Sequence, residues 1–174
     1  PEQIVHLSYL PHIQDDTIFL NRIYMRSVFR KPEVYHALPE EYRTAQMAYF
    51  MVYNYAHNVM FLPEQQRKLL YKTAVMLDPT VLMKIPIHEI TQDICNIALD
   101  RNIIIEVIFN AYPSDRRSDA HRQELQKHLE NILQYVPIEF RTRNICLTAY
   151  ILNQDSIDLI PLEHQAYCRG ILSY

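Results

Sequence analysis

An all-α fold of the solenoid kind is what this sequence predicts, and three observations carry the prediction. A proline recurs every 23 to 28 residues, at Pro11, Pro39, Pro63, Pro86, Pro113, Pro137 and Pro161. Each is preceded by an apolar or aromatic pair at −4 and −1, from Leu7 and Leu10 through Phe109 and Tyr112 to Ile157 and Ile160. Glycine is nearly missing: the 174 residues contain only Gly170, where ordinary usage near ~7% would supply roughly a dozen. Hairpins, phosphate-cradling loops and dinucleotide-binding turns draw on glycine for positive φ, so its scarcity argues against β-rich folds and those enzyme classes together.

The elements of one repeat follow in order from the proline. Thr or Ser stands five residues after it at Thr44, Thr91, Ser118 and Thr142, and Thr17 comes one place later; Lys68 and Ala166 hold the position in the third and seventh repeats. A hydroxyl there is expected to cap a helix by accepting from its free N–H groups, for roughly 1 kcal/mol. Small and apolar residues then recur at helical spacing, as in Ile94, Cys95, Ala98 and Leu99, which predicts a helix of about ten residues. Asn54, Asp78, Asn102 and Asn153 follow, expected to end that helix in the left-handed conformation that Gly usually takes. A second helix of one or two turns carries the −4/−1 pair, and the next proline stops it. After the proline a short acidic segment, as in Pro39-Glu40-Glu41, suits the first turn of a helix.

Helices this short are not stable alone, so neighbouring repeats must share a core. The expectation is one α-solenoid domain over residues 1–174, with about seven helix-turn-helix repeats of about 24 residues. A leucine-rich repeat is the architectural rival at this period; it needs a short strand in every repeat, and segments such as 118–130 look helical throughout.

Composition narrows the functional classes. Seventeen Lys and Arg against twenty Asp and Glu give a net charge of −3, which offers no general attraction to nucleic acid or anionic lipid. Three cysteines without a CxxC pair fit reduced thiols and a cytoplasmic setting. No stretch approaches the ~20 apolar residues of a membrane span. The start at Pro1 is expected to reflect a piece cut from a longer protein. No cofactor or metal is called for by any motif.

The strings Val136-Pro137-Ile138-Glu139-Phe140-Arg141-Thr142-Arg143-Asn144-Ile145-Cys146 and Leu38-Pro39-Glu40-Glu41-Tyr42-Arg43-Thr44 resemble a short helical repeat of bacterial proteins. Its units read Val-Pro-Glu-Glu-Leu-Arg/Lys-Thr, two variable residues, then apolar-Cys-x-x-Ala. The likeness is close in the second, fourth and sixth repeats, with Asn standing where that family carries Gly. It implies a repeat scaffold and a bacterial setting that includes secreted effectors delivered to a host cytosol, and it nominates no catalytic residues.

Four prolines are followed at +4 by arginine: Arg43, Arg67, Arg117 and Arg141. In a regular stack these would form a basic ladder able to grip carboxylates or phosphates through planar paired bonds. The plainer reading is internal pairing with the acids at +2, Glu41, Asp115, Glu139 and Glu163. Cys95 and Cys146 share one slot and read as small core filler before nucleophiles. His164 and Cys168 stand one helical turn apart, but two ligands do not make a zinc site. His121 and His128 read as solvated surface, as does the mixed-charge start of 114–127. The run Met47 to Tyr53 is apolar all round, which marks either a helix buried in the array or an exposed tyrosine patch of the kind enriched at interfaces.

The leading expectation is a scaffold whose helical surface binds a protein or peptide. A catalytic effector domain with its site between repeats is the alternative, and a phosphate or RNA binder acting through the arginine ladder is the third. An exposed aromatic ridge, a concave pocket of His, Cys and carboxylates, or an unpaired arginine row would separate them.

Overall fold

The computed structural model describes residues 17–100, 127 and 129–171, and every described element is helical. Among the described residues run, in chain order, the α-helices α1 (Thr17–Arg30), α2 (Ala45–Asn54), α3 (Glu64–Leu77), α4 (Gln92–Ala98), α5 (Arg143–Leu152) and α6 (Leu162–Ile171). Between them lie 3₁₀ helices at a constant register to the prolines. Pro32–Ala37, Ala56–Phe61, Pro79–Lys84 and Gln154–Leu159 each run from −7 to −2, and Ile132–Tyr135 from −5 to −2. Among the described residues there is no strand, which removes the leucine-rich rival.

The −4/−1 pair owes its regularity to this 3₁₀ geometry. With three residues per turn, −4 and −1 lie on one stripe, and the −1 N–H donates to the −4 carbonyl in all five described copies, as from Leu38 to Tyr35 at 3.2 Å and Val136 to Leu133 at 3.1 Å. Tyr35, Val59, Leu82 and Leu133 at −4, and every described −1 residue, are buried. So is position −5, occupied by Val34, Asn58, Val81, Ile132 and Ser156. Each buried aliphatic side chain contributes about 1.5–3 kcal/mol of transfer free energy.

Thr44, Thr91 and Thr142 cap the helices as expected, accepting from the N–H of Met47 (3.2 Å), Ile94 (3.4 Å) and Ile145 (3.5 Å). Ahead of each, the residues after proline form a three-residue 3₁₀ turn: Glu40–Tyr42, Ile87–Glu89 and Ile138–Phe140. The third and seventh repeats, with Lys68 and Ala166 at +5, have no such turn. Without a hydroxyl to stabilise an extended residue, α3 and α6 begin directly after Pro63 and Pro161.

The expected left-handed helix ends are corrected by the structure. No described residue has positive φ. Asp78 (φ −151°) and Asn153 (φ −149°) are extended and cap the 3₁₀ helix that follows, accepting from Thr80 N and Asp155 N at 3.0 Å each. Their position is −8, and Asn54 falls one residue too early to share it: it is the last residue of α2, and its amide donates to Phe50 O. Asn102 lies outside the described residues. Gly170 sits in α6 without positive φ and with open space where a Cβ would go. Gly170→Ala is therefore expected to raise stability by about 0.5–1 kcal/mol in a denaturant titration.

The chain divides into two compact units, Pro1–Ala74 and Val75–Tyr174. In the first, α1 packs on α2, and the 3₁₀ helix before Pro39 packs on the one before Pro63. Gln66 ties these layers: its Oε1 accepts from the buried Tyr35 hydroxyl at 2.7 Å, and its Nε2 donates to Arg43 O at 3.1 Å. In the second unit the 3₁₀ helix before Pro86 packs directly on the one before Pro137, which packs on the one before Pro161. Gln92 Nε2 donates to Phe140 O at 3.2 Å across the first of these junctions. The Pro86 and Pro137 layers are thus neighbours, whereas the sequence count sets the Pro113 repeat between them. Pro113 and Pro11 lie outside the described residues.

Candidate functional site

The most distinctive surface of the first unit grows from α2. Its Met47, Ala48, Met51 and Val52 are buried, which fixes Tyr49 and Tyr53 on the opposite face. Both are exposed, at 49% and 62%, and their rings stack with centroids 6.1 Å apart. Phe50 faces Phe29 of α1 at 6.4 Å, so the aromatic surface continues from one helix to the next. Exposed Tyr55 stands 5.3 Å from the ring of His57 beyond the end of α2. Contiguous exposed aromatics mark interaction surfaces more often than solvent-facing accidents.

The arginine positions are not equivalent. Arg141 is turned into the fold: its Nε donates to Val136 O at 3.0 Å and its Nη1 to Leu159 O at 2.6 Å. Val136 precedes a proline and ends a 3₁₀ helix, so its carbonyl lacks a main-chain donor, and Leu159 O belongs to the adjacent layer. Gln165, also at +4, serves Ile160 O in the same way at 2.9 Å. Neither Arg43 nor Arg141 forms an ion pair among the described residues, so main-chain carbonyls at Arg141 replace the carboxylate pairing expected from Glu139. Arg43 is half-buried, and its Nε has no hydrogen-bond acceptor. Arg67 lies inside α3, where Pro63 O accepts from its N–H at 2.9 Å. Arg117 lies outside the described residues, as do Asp115, Ser118 and His121.

The thiols are core groups. Cys95, Cys146 and Cys168 are buried; burial pushes Cys95 up to about 12 and Cys146 to about 11, with Cys168 raised as well. Cys146 Sγ also contacts Arg141 O at 3.4 Å. A thiol reagent at neutral pH is expected to label none of the three until the chain unfolds. The pH dependence has a definite sign. Unfolded thiols ionise near their ordinary pKa while the folded ones stay protonated, so these groups support the fold below about pH 9 and lose that support as pH rises towards 12. Denaturant midpoints across this range should fall less steeply in Cys95→Ala than in the wild type.

His164 lies 3.6 Å from Glu163 on α6, one turn from buried Cys168. Among the described residues no three His, Cys, Asp or Glu side chains gather as metal ligands, and no helix is long and apolar enough to cross a membrane. Among the described residues, a recess of about 340 Å³ is lined by Ile18, Asn21, Glu41, Tyr42 and Thr44, with neither His nor Cys among them. The second unit presents strongly exposed aliphatic residues directly after its prolines, at Ile87, Ile138 and Leu162. Comparison with protein-family models, curated proteins and solved structures finds no match for this chain.

Sequence reasoning reached the tyrosine patch only as one of two readings of a wholly apolar run. It missed the arginine row of α1, although Arg22, Arg26 and Arg30 already stand four apart in the sequence.

Proposed function

We propose that the chain is a protein-binding scaffold whose recognition surface is the outer helical face of the first unit. One observation carries the reading: the exposed Tyr49–Tyr53 stack, continuous with the Phe50–Phe29 pair. Two tyrosines held on a rigid helix supply large contact area and two hydroxyls at small entropic loss, the combination that dominates binding hot spots. Layered α-helices are also the architecture that offers a broad face to a partner.

The test is capture of partner proteins by the intact chain compared with Tyr49→Ala/Tyr53→Ala. Both side chains are exposed, so the variant should melt within a few degrees of the wild type. Loss of at least one partner, with binding about tenfold or more weaker in a follow-up titration, is the expected result. Identical recovery of every partner would remove this face as the recognition surface. The arginine ladder is a poorer target for such a test, because Arg141→Ala also disconnects two layers.

A further inference from the structure

The α1 face beside the tyrosine stack carries a row of charge that the fold leaves unanswered. Arg22, Arg26 and Arg30 are spaced four apart along α1, so they lie in one line about 12 Å long. All three are exposed, and none has an ion-pair or hydrogen-bond partner through its side chain among the described residues. Like charges at this spacing destabilise a helix. Arg30 recovers some of that loss by standing at the C-terminal end of α1, but Arg22 and Arg26 do not. On the same face stand Ile18, one turn before Arg22, and Phe29, between Arg26 and Arg30, exposed at 68% and 61%. Phe29 in turn meets Phe50 and so joins the row to the Tyr49–Tyr53 stack.

We infer that this face receives an acidic, amphipathic peptide segment of a partner protein, an inference that rests on the scaffold reading above. Carboxylates spaced one helical turn apart would meet the three guanidiniums through paired, charge-assisted bonds. Apolar side chains on the adjoining stripe of the same peptide would seat against Phe29 and the tyrosines, in the manner of a helix laid on a hydrophobic face. Nucleic acid fits less well. The chain as a whole carries −3, so it lacks the field that draws a long polyanion.

The test uses the intact chain and an array of labelled amphipathic peptides that share one apolar stripe and carry either Glu or Lys at positions four apart, with an oligouridine of similar length alongside. The Glu peptides should bind about tenfold or more tightly than the Lys peptides at low salt, and the advantage should shrink as salt is raised. Arg22→Glu/Arg26→Glu/Arg30→Glu should invert the preference, and the milder Arg→Gln triple should abolish it, both with helical content and melting temperature close to wild type. Equal binding of Glu and Lys peptides, lost in Tyr49→Ala/Tyr53→Ala, would overturn the acidic partner and leave the scaffold reading standing. Binding of neither peptide set, or tighter binding of oligouridine than of any peptide, would overturn the inference outright.

Discussion

Leu82→Ala is expected to destabilise the second compact unit by about 3 kcal/mol, within the 2–5 kcal/mol range for removing a fully enclosed leucine. Leu82 is wholly buried. It is the −4 residue of the 3₁₀ helix Pro79–Lys84, which packs both on α4 and on the 3₁₀ helix before Pro137. Truncation removes transfer free energy and leaves a void between layers, where main-chain hydrogen bonds on either side limit collapse. The measurement is the denaturant midpoint and slope, with Leu69→Ala as the control. Leu69 is 81% exposed, so its replacement should stay within about 0.5 kcal/mol of wild type. Equal effects at the two leucines would mean that the 3₁₀ row is not the core of its unit.

Arg141→Ala is expected to cost about 2 kcal/mol, since hydrogen bonds from a charged donor are worth roughly 1.5–3 kcal/mol when an acceptor is left bare, and the outer of the two here is open to solvent. Two carbonyls in successive layers lose their donor, Val136 O and Leu159 O. Arg141→Lys should restore less than half of the loss, because an ammonium on a flexible stem cannot span both acceptors as the planar fork does. Arg43→Ala should cost less than Arg141→Ala, because Arg43 Nε has no acceptor to lose. If the two alanine variants lost the same stability, the staple assigned to Arg141 would be wrong.

Much of the fold could be read from proline-anchored pattern because the physics is local. A proline ends a helix, a threonine five residues on begins one, and three-residue turns put −4 and −1 on the same stripe. Thr44, Thr91 and Thr142 act as the sequence says they should, and Lys68 and Ala166 depart where the structure departs. Position −5 escaped notice because Asn58 and Ser156 are polar, yet both are buried, with Asn58 donating to Met51 O at 3.1 Å. Asp78 and Asn153 were legible as boundary residues but not as caps of the next helix, since composition alone does not say which neighbour a short polar side chain serves. The neighbouring Pro86 and Pro137 layers could not be read at all: which repeats touch is a tertiary fact, and the Phe109 and Tyr112 pair satisfied the template.

The candidate site was legible in chemistry and not in exposure. Thirteen tyrosines and the all-apolar run Met47 to Tyr53 suggested either a core or a patch, and only the packing of Met47 and Met51 decided that Tyr49 and Tyr53 face outward. The four arginines at +4 looked equivalent because they share a register. They diverge because Arg67 sits in a helix that starts early, whereas Arg141 sits after a 3₁₀ turn that aims it at two carbonyls.

The described chain passes from helix to helix without once entering the left-handed region. Its junctions are built from negative-φ residues, many of them extended, and from proline-led 3₁₀ turns, conformations open to L-amino acids in general. Evolutionary drift at such junctions is therefore freed from the usual demand for one achiral residue, and can accept bulky or charged side chains without twisting the backbone. Prolines also stiffen the denatured chain and lessen the disorder surrendered on refolding, so recovery after heating is where this economy of junctions should show.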